Sequence, residues 1–396
     1  MRFKYLSSIG IITLIFVISI MSIISKDYET SDLEGRKLEV MPTMENLILK
    51  EKTHNFNAYL YELLFGDIFE KWDNYFSDHI YFRDNFVNAY TSIQKQTNKK
   101  YVNSVYLGKD NYFLSDTNSK EIFDNQLKAR ARYFTSISEM FKESQIYMIN
   151  LPYKNDVYES KMPIDGYRSL NNIYINKLFE YIENSKLTCI DVKNDFKDSE
   201  ELYHKTDHHW NMNGTWIAYE NIVNKIKNDF EEIGEIKTKD FYNIDIYENY
   251  FIGTDGRKVG QIVSEMDDIE IYNHKNKEDY NVYIDGELSD FYWYDFLNKE
   301  RFNNDYGVYL GGDHAEVIIE NIKSNNDLSI VIIGDSMDNP LIPLLAPHFN
   351  KIYSYDLRYY NESIIDKIQS INPEIIAFIG LTNNFINDEG SLFNIY

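Results

Sequence analysis

The stretch that decides the fold is Ser329-Ile330-Val331-Ile332-Ile333-Gly334-Asp335-Ser336. Its first five residues are mostly β-branched and carry no charge, as in a strand that is buried on both faces of a parallel sheet. A helix is expected over residues 339–349, so the strand ends in a turn that leads to a helix. Sites in open parallel sheets form outside the carboxyl ends of strands. Ser336 is therefore a candidate nucleophile whose backbone N–H could stabilise an oxyanion, and the alternative interpretation is a cap on the next helix.

The alternation of strand and helix continues on both sides of this stretch. Apolar runs predict further strands, and amphipathic runs between them predict helices. The strands are Gln145–Leu151, Leu187–Val192, Lys351–Tyr355 and Glu374–Ile379, and the helices are Ser119–Lys142, Leu170–Glu183, Asn213–Lys227 and Ser363–Ile371. This pattern is typical of an α/β fold in which a mostly parallel sheet is covered by helices on both faces.

Two other regions follow a different pattern. Aromatic residues at helical spacing, from Phe65 to Phe76 and from Phe82 to Tyr90, predict two helices ahead of the α/β part. Between about residues 237 and 326 the alternation is lost, and we expect an irregular insertion of loops and short strands near the site. The expected organisation is a membrane anchor or signal segment at 1–26, a linker and helical segment at 27–100, and one α/β domain at 101–396 that contains the insertion.

The N-terminal segment Tyr5–Ser25 has no charged residue across 21 residues. That length is enough to cross a bilayer core of about 30 Å as a helix. Arg2 and Lys4 precede the segment and acidic residues follow it, which favours an N-terminus inside and a body outside. Because no small-x-small cleavage pattern follows, we expect an uncleaved single-pass anchor in the cell membrane with the globular domain outside; the alternative is a secreted protein.

Composition excludes some classes of partner. The formal net charge is −23, and nucleic-acid binding needs a basic surface, so nucleic acid is not an expected partner. Cys189 is the single cysteine, so no intrachain disulfide can form.

A second chemical signal is the loop Lys205-Thr206-Asp207-His208-His209-Trp210-Asn211. A serine nucleophile needs a base to take its proton, and the base needs a carboxylate to fix its tautomer. Asp207 and His209 could supply both groups from one loop, two residues apart. We expect Trp210 to pack beneath this loop.

The same cluster raises the alternative of a metal site. His204, Asp207, His208 and His209 are all possible metal ligands. The Asp-His-His triplet also resembles the one through which DHH phosphoesterases bind metal. Those enzymes need further Asp-rich motifs on upstream strands, and the predicted strand Gln145–Leu151 has no aspartate. We therefore expect no metal and no cofactor.

Taken together, these residues resemble the DHHW family, named for the tetrapeptide that is Asp207-His208-His209-Trp210 in this chain. That family is similar to the SGNH-hydrolase-like domains of bacterial alginate O-acetylation proteins, which implies a three-layer α/β/α domain. The other motifs that carry the resemblance, in chain order, are Glu34-Gly35-Arg36-Lys37-Leu38 with Pro42, Phe69-Glu70-Lys71-Trp72, Asp78-His79, Phe82-Arg83-Asp84, Pro152-Tyr153-Lys154, Gly311-Gly312, Gly334-Asp335-Ser336, Pro347-His348-Phe349 and Asp356-Leu357-Arg358-Tyr359.

The resemblance implies roles for particular residues. It makes Ser336 the catalytic serine and Asp207 and His209 its partners, whereas His208 occupies a variable position. This chain departs from the family where relatives carry a Glu-Arg-Asn run after the last strand, because it reads Leu381-Thr382-Asn383-Asn384 there. Asn383 remains a candidate oxyanion or substrate donor, and Gly253 and Thr254 are two further candidates.

The leading functional hypothesis is O-acylation, with O-acetylation of a cell-surface or secreted polysaccharide as the expected reaction. The resemblance implies a membrane-bound O-acyltransferase as the partner that supplies the acyl group. One alternative is a carbohydrate acetylesterase that uses the same Ser–His–Asp triad. Another is a non-catalytic glycan-binding or scaffold protein that keeps the fold, since fold does not establish function.

Overall fold

The computed structural model describes residues 2–31, 36–42, 68–115, 117, 121–182, 186–197, 200–260, 263–297, 304–388 and 391–395. Glu34 and Gly35 of the first family motif, and Phe65 of the aromatic pattern, lie outside these residues. The chain divides into two compact units, Met1–Lys99 with Arg257–Ile262 and Lys100–Gly256 with Val263–Tyr396.

The first unit is mainly helical. It contains helices α1 (Arg2–Ile24), α2 (Ile68–Asp78) and α3 (Arg83–Gln96), with a short ladder of β1 (Thr30–Ser31) and β2 (Arg36–Lys37). Phe82, which lies between α2 and α3, adopts a left-handed conformation with φ 64° and so separates the two helices. The two helices predicted from the aromatic spacing are confirmed.

No helix in the described part of the chain has both the length and the apolar character needed to cross a bilayer.

The second unit is built on an eight-stranded sheet. The strands of this unit are β3 (Tyr101–Val102), β4 (Val105–Leu107), β5 (Phe113–Ser115), β6 (Gln145–Leu151), β7 (Leu187–Asp191), β8 (Tyr242–Phe251), β9 (Asp267–His274), β10 (Tyr280–Ile284), β11 (Glu287–Ser289), β12 (Glu316–Asn321), β13 (Ser329–Ile333), β14 (Lys351–Tyr355) and β15 (Ile375–Leu381). The order in the large sheet is β11-β10-β12-β14-β13-β15-β6-β7. β14, β13, β15, β6 and β7 run parallel, as the sequence predicts.

The sheet is mixed: four pairings among its described strands are parallel, as expected of a mostly parallel sheet, and three are antiparallel. β12 pairs antiparallel with β14, and β10 and β11 continue the sheet antiparallel beyond it. These three strands come from the segment that was expected to be an irregular insertion. β12 buries alternate residues, as a strand with one face in the core does, so its sequence lacks the continuous apolar run of the central strands.

Helices cover the sheet on both faces. The helices are α4 (Asp124–Met140), α5 (Lys154–Val157), α6 (Asn171–Ile182), α7 (Met212–Lys227), α8 (Thr254–Val259), α9 (Leu341–Leu345), α10 (Ile364–Ile371) and α11 (Thr382–Ile386). Along β6, Tyr147 and Ile149 join the apolar cluster that packs against α7, whereas Ile146 and Met148 join the cluster beneath α4, α6 and α10. Strand side chains alternate between faces, so the two clusters lie on opposite sides of the sheet. The three layers predicted for the domain are confirmed.

This topology brings three loops to one edge of the sheet. β13, β15 and β6 are adjacent and parallel, so their carboxyl ends lie side by side. The loops that follow them begin with Gly334, Thr382 and Pro152. Pro152 and Thr382, which are 230 positions apart in the sequence, thereby lie at the same end of the sheet.

Candidate active site

Ser336 lies in a tight turn that follows β13. The N–H of Asp338 donates to the carbonyl of Asp335 at 3.0 Å and closes this turn. A side chain at Gly334 would overlap the Asp338 carboxylate, so the turn requires glycine there. Ser336 is half-buried, and its N–H donates to no acceptor among the described residues. It can therefore offer both a hydroxyl and a backbone donor to a ligand.

The helix expected directly after this turn is shorter than predicted. It begins at Leu341 and ends at Leu345, and a 3₁₀ turn at Ala346–His348 replaces its second half. Pro343 and Pro347 explain this, because proline removes the N–H that an α-helix needs. Ser336 is thus the start of a turn and not the N-cap of a helix.

The loop between Tyr203 and Trp210 brings a base and a carboxylate to this serine. The Ser336 Oγ and the His209 Nε2 are 2.8 Å apart. On the other side of the ring, His209 Nδ1 lies 2.7 Å from Asp207 Oδ1, which also accepts the His209 N–H at 2.9 Å. A hydroxyl, an imidazole and a carboxylate therefore form a continuous hydrogen-bonded chain, with the geometry that nucleophilic catalysis requires.

Two aromatic rings hold the His209 imidazole. Tyr306 stacks on it with ring centroids 3.8 Å apart and an angle of 13° between the planes. The Tyr306 hydroxyl donates to the carbonyl of Ser336 at 3.3 Å, so the same side chain also contacts the serine turn. The centroid of the His208 ring lies 3.8 Å from that of His209, and His208 Nδ1 is 3.1 Å from Asp207 Oδ1. Sequence reasoning missed Tyr306, because it lies in the segment that lacked a recognisable pattern.

The charges at the site suit a neutral base. Burial and the neighbouring His208 lower the pKa of His209 to about 4. Asp207 acts in the opposite direction and raises this pKa, but its effect is smaller. Burial opposes ionisation of Asp207, yet the two imidazoles hold the pKa of this carboxyl well below its usual value. At neutral pH the imidazole is uncharged and can accept a proton, while the carboxylate is charged.

This electrostatic setting predicts the pH dependence of any reaction that uses His209 as a base. The imidazole must be unprotonated, so kcat/KM for an ester substrate is expected to be constant above about pH 5 and to fall below about pH 4 as His209 gains a proton. The measurement is a pH profile of kcat/KM, with the unfolding midpoint recorded at each pH to confirm that the protein is folded. An acid limb at the ordinary histidine pKa of about 6.5 would contradict the assignment.

The residues Gly253 and Thr254 support the Asp207 loop, which corrects their expected role as oxyanion donors. The N–H of Thr254 donates to Asp207 Oδ2 at 2.7 Å, and the N–H of Gly253 donates to Thr206 Oγ1 at 2.8 Å. Both donors are thus already used. A side chain at Gly253 would overlap the Asp207 carboxylate, so this glycine permits the close approach of the two loops.

Asn383 lies at the same sheet edge as Ser336, at the start of α11 after β15. The pKa of the hydroxyl of Tyr153, which follows β6, is raised mainly by burial, and Asn383 acts in the opposite direction. The next residue, Asn384, donates to Asp335 Oδ2 at 3.1 Å and ties this loop to the Ser336 turn. Asn383 therefore remains a candidate donor, and Tyr153 is a residue of this edge that the sequence alone did not single out for a role.

Two buried carboxyl groups flank Ser336 in the turn. Burial raises the pKa of Asp335 to about 6 and that of Asp338 well above its ordinary value. Asp335 Oδ1 accepts the N–H of Met337 at 3.0 Å, which fixes the turn.

The metal alternative concerns the same loop. Among the described residues, Asp207, His208 and His209 form the group whose ligand atoms lie close enough together to hold an ion. Both carboxylate oxygens of Asp207 and both ring nitrogens of His209 are already engaged in hydrogen bonds. An ion would have to displace these bonds, so the donor set does not fit a resident metal.

Trp210 is completely buried beneath the loop, as predicted. Tyr203 and Trp210 form a β-bridge at the base of the loop, and the N–H of His204 donates to the carbonyl of His209 at 3.2 Å. Trp210→Ala is expected to lower the free energy of unfolding by about 3–5 kcal/mol, because a large cavity would replace the indole. Chemical denaturation of the variant tests this. A loss below about 1 kcal/mol, in the range of a surface substitution, would show that the indole does not support the loop.

Comparison with known proteins agrees with this geometry. No curated protein matches the chain in sequence. Residues 105–250 match the family described as ALGX, the SGNH hydrolase-like domain of the acetyltransferase AlgX. This stretch is similar to an SGNH hydrolase-like domain. The matched residues include Asp207 and His209, whereas Ser336 lies beyond them.

Solved structures share the same fold. Bacillus cereus PatB1, in a structure with a sulfonyl adduct, is 21% identical with a TM-score of 0.62, and the match covers 74% of this chain and 97% of that one. A DHHW family protein from Eubacterium siraeum DSM 15702 is 19% identical with a TM-score of 0.58, and the match covers 72% of this chain and 93% of that one. The resemblance predicted from the sequence is confirmed.

Proposed function

We propose that this protein is an extracytoplasmic O-acyltransferase that transfers acetyl groups to hydroxyls of a cell-surface or secreted polysaccharide, with Ser336, His209 and Asp207 as its catalytic triad. The observation that carries the proposal is the hydrogen-bonded chain from Ser336 Oγ through His209 to Asp207, with distances of 2.8 and 2.7 Å. The likeness of the domain to an acetyltransferase family supports the class of reaction.

The first half of the reaction is acylation of the serine. His209 Nε2 takes the hydroxyl proton while Ser336 Oγ bonds to the carbonyl carbon of the acyl donor. The negative charge formed on the carbonyl oxygen is stabilised by the N–H of Ser336 and the side-chain amide of Asn383. The intermediate then breaks the bond to the donor, whose leaving group takes the proton from His209.

The second half transfers the acyl group to the acceptor. A sugar hydroxyl gives its proton to His209 Nε2, and its oxygen bonds to the acyl carbon. The bond to Ser336 Oγ breaks, and the serine recovers its proton from His209. Throughout, Asp207 holds the ring orientation and balances the charge of the imidazolium. These steps need no cofactor.

The proposed location follows from the proposed acceptor, and the proposed partner follows from the family resemblance. A polysaccharide acceptor lies outside the cell, so the proposed location of the domain is extracytoplasmic. An acyl group must then reach the outer face, for which we propose a membrane-bound O-acyltransferase as the donor.

The buried Asp207–His209 pair argues for catalysis over a scaffold. The carboxylate of Asp207 is only 2% exposed, and burying a charge is costly unless it is paired. In addition, the pair is hydrogen-bonded to the half-buried Ser336, which is the arrangement expected of a nucleophile and its base. A protein that only binds glycans would gain nothing from this chain of groups.

The test uses the purified full-length protein in detergent with 4-nitrophenyl acetate, with and without an acetyl-free oligosaccharide. Release of nitrophenolate, free acetate and acetylated sugar are measured together. A transferase gives acetylated sugar faster than free acetate, and the product disappears in Ser336→Ala. Free acetate alone would identify an esterase, and turnover no higher than that of Ser336→Ala would identify a non-catalytic protein.

A further inference from the structure

The motif Pro152-Tyr153-Lys154 places a lysine in the interior of the second unit. Lys154 is the first residue of α5, directly beyond the carboxyl end of β6, and its side chain is only 4% exposed. An ammonium group is almost never buried to this extent unless the protein supplies partners for it. Those partners therefore indicate what the lysine does.

The partners lie on the loop that carries the triad base. Lys154 Nζ donates to the carbonyl of Asp207 at 2.8 Å and to the carbonyl of Lys205 at 2.9 Å. It also lies 5.8 Å from the centroid of the Tyr112 ring. The ammonium touches neither the Ser336 hydroxyl nor the His209 ring, so it acts on the chain and not on the reacting atoms.

The N–H groups of the same loop are held from another direction. Asp267 Oδ1 accepts the N–H of Lys205 at 2.6 Å, and its Oδ2 accepts the N–H and the hydroxyl of Thr206 at 2.8 and 2.5 Å. Asp267 thus binds the donors of this segment while Lys154 binds its acceptors. The two side chains together fix the backbone from Lys205 to Asp207.

Charge keeps this arrangement in place. Burial lowers the pKa of Lys154, and the electrostatic attraction of Asp255, Asp267 and Asp207 opposes this lowering. Without the ammonium, two buried carbonyl groups would lose their donors, and three buried carboxylates would lose a common cation. The loop would then relax towards water, and Asp207 and His209 would move with it.

We propose that Lys154 is a positioning residue of the acyl-transfer site, whose buried ammonium fixes, through the carbonyl groups of Lys205 and Asp207, the loop on which Asp207 and His209 stand. The inference rests on the proposed function. It gives a role to a family motif that contributes no group to the proton transfer.

The test compares Lys154→Met with Lys161→Met in the full-length protein, with 4-nitrophenyl acetate as substrate. Lys161 is a matched control, because its Nζ lies 5.5 Å from the same Tyr112 ring but pairs with Asp110 and not with the loop. Misplacement of catalytic groups by about 1 Å can cost about 100-fold, so kcat of Lys154→Met is expected to fall by about 10- to 100-fold with KM unchanged. Lys161→Met should stay within about twofold of the wild type.

A pH profile separates positioning from a role in folding alone. If the variant only contains less folded protein, kcat/KM is lower at every pH, but the pH at which it falls (its acid limb) is unchanged. A relaxed loop admits water to His209, and less burial raises the pKa of His209 from about 4 towards its ordinary value. The acid limb of Lys154→Met should therefore move to higher pH, and Lys154→Arg, which keeps the charge and the donors, should restore the limb.

The outcomes decide the proposal. It is overturned if folded Lys154→Met has wild-type kcat and an unmoved acid limb. It is also overturned if Lys154→Met and Lys154→Gln both fail to fold, because the lysine then serves folding. Ser336→Ala is assayed in parallel. If Ser336→Ala is inactive and Lys154→Met is normal, only this inference fails, whereas an active Ser336→Ala removes the proposed function itself.

Discussion

Ser336→Ala is expected to reduce turnover of an acetyl ester by about 10⁴- to 10⁶-fold, the loss seen when a serine nucleophile is removed from a working triad. The alanine cannot form the acyl intermediate, and His209 Nε2 loses the hydroxyl that lies 2.8 Å away. The free energy of unfolding should change by no more than about 1 kcal/mol, because the half-buried hydroxyl makes one hydrogen bond. A large kinetic effect with a small effect on stability is the expected signature.

The control is Ser370→Ala, which removes an exposed serine hydroxyl that contacts only the carbonyl of Lys367. This variant should retain wild-type turnover. A sulfonyl fluoride gives an independent readout, since attack by Ser336 forms a sulfonate ester and releases fluoride. Mass spectrometry should locate one adduct on Ser336 in the wild type and none there in Ser336→Ala. Turnover by Ser336→Ala near that of the wild type would exclude the serine as nucleophile.

A double variant tests whether the residues act as one unit. Triad members show strong non-additivity, because removal of one leaves the others without a function. The kcat of the double variant Ser336→Ala/His209→Ala should therefore be no lower than that of Ser336→Ala alone. If instead the two losses multiply, the residues contribute separately and the proton relay is not the mechanism.

The central strands could be predicted well because their sequences carry the signal themselves. β6 matches the predicted Gln145–Leu151, since a strand buried on both faces is a largely apolar run. β14 matches the predicted Lys351–Tyr355. The helix after Ser336 is shorter than its apolar spacing predicts, because Pro343 and Pro347 interrupt it. β12 was missed because its partner, β14, is known only once the chain has folded.

The members of the proposed triad could be predicted because each lies in a local motif. Ser336 follows a strand, and Asp207 and His209 share one loop with a dense set of polar residues. The contacts of the residues that support them have no such local signal, even where the residue, as in Pro152-Tyr153-Lys154, lies in a motif. Lys154 acts through carbonyl groups more than fifty positions away, and Tyr306 stacks on a ring almost a hundred positions away. Such contacts depend on topology, so the sequence alone does not reveal them.

Asp207→Asn is the second variant with a very large expected effect. Asp207 Oδ1 accepts from His209 Nδ1 and from the His209 N–H, while Oδ2 accepts from the Thr254 N–H. Asparagine has one acceptor oxygen, so in either orientation its NH₂ group faces a donor. If the NH₂ group faces His209, it forces the proton from Nδ1 to Nε2, and the ring can no longer accept from Ser336.

Loss of the correct tautomer in this way costs about 10⁴-fold in kcat, and the same loss is expected here. His208→Ala is the matched control, because His208 contacts the same carboxylate at 3.1 Å but does not face Ser336. Among the described contacts His208 is not hydrogen-bonded to Ser336, so kcat of His208→Ala should fall by less than about tenfold. Equal losses in the two variants, at equal stability, would mean that Asp207 acts through the charge of the loop and not through the His209 tautomer. A large fall in kcat in Asp207→Asn and not in His208→Ala would show that catalysis depends on His209, whose imidazole is hydrogen-bonded to Ser336.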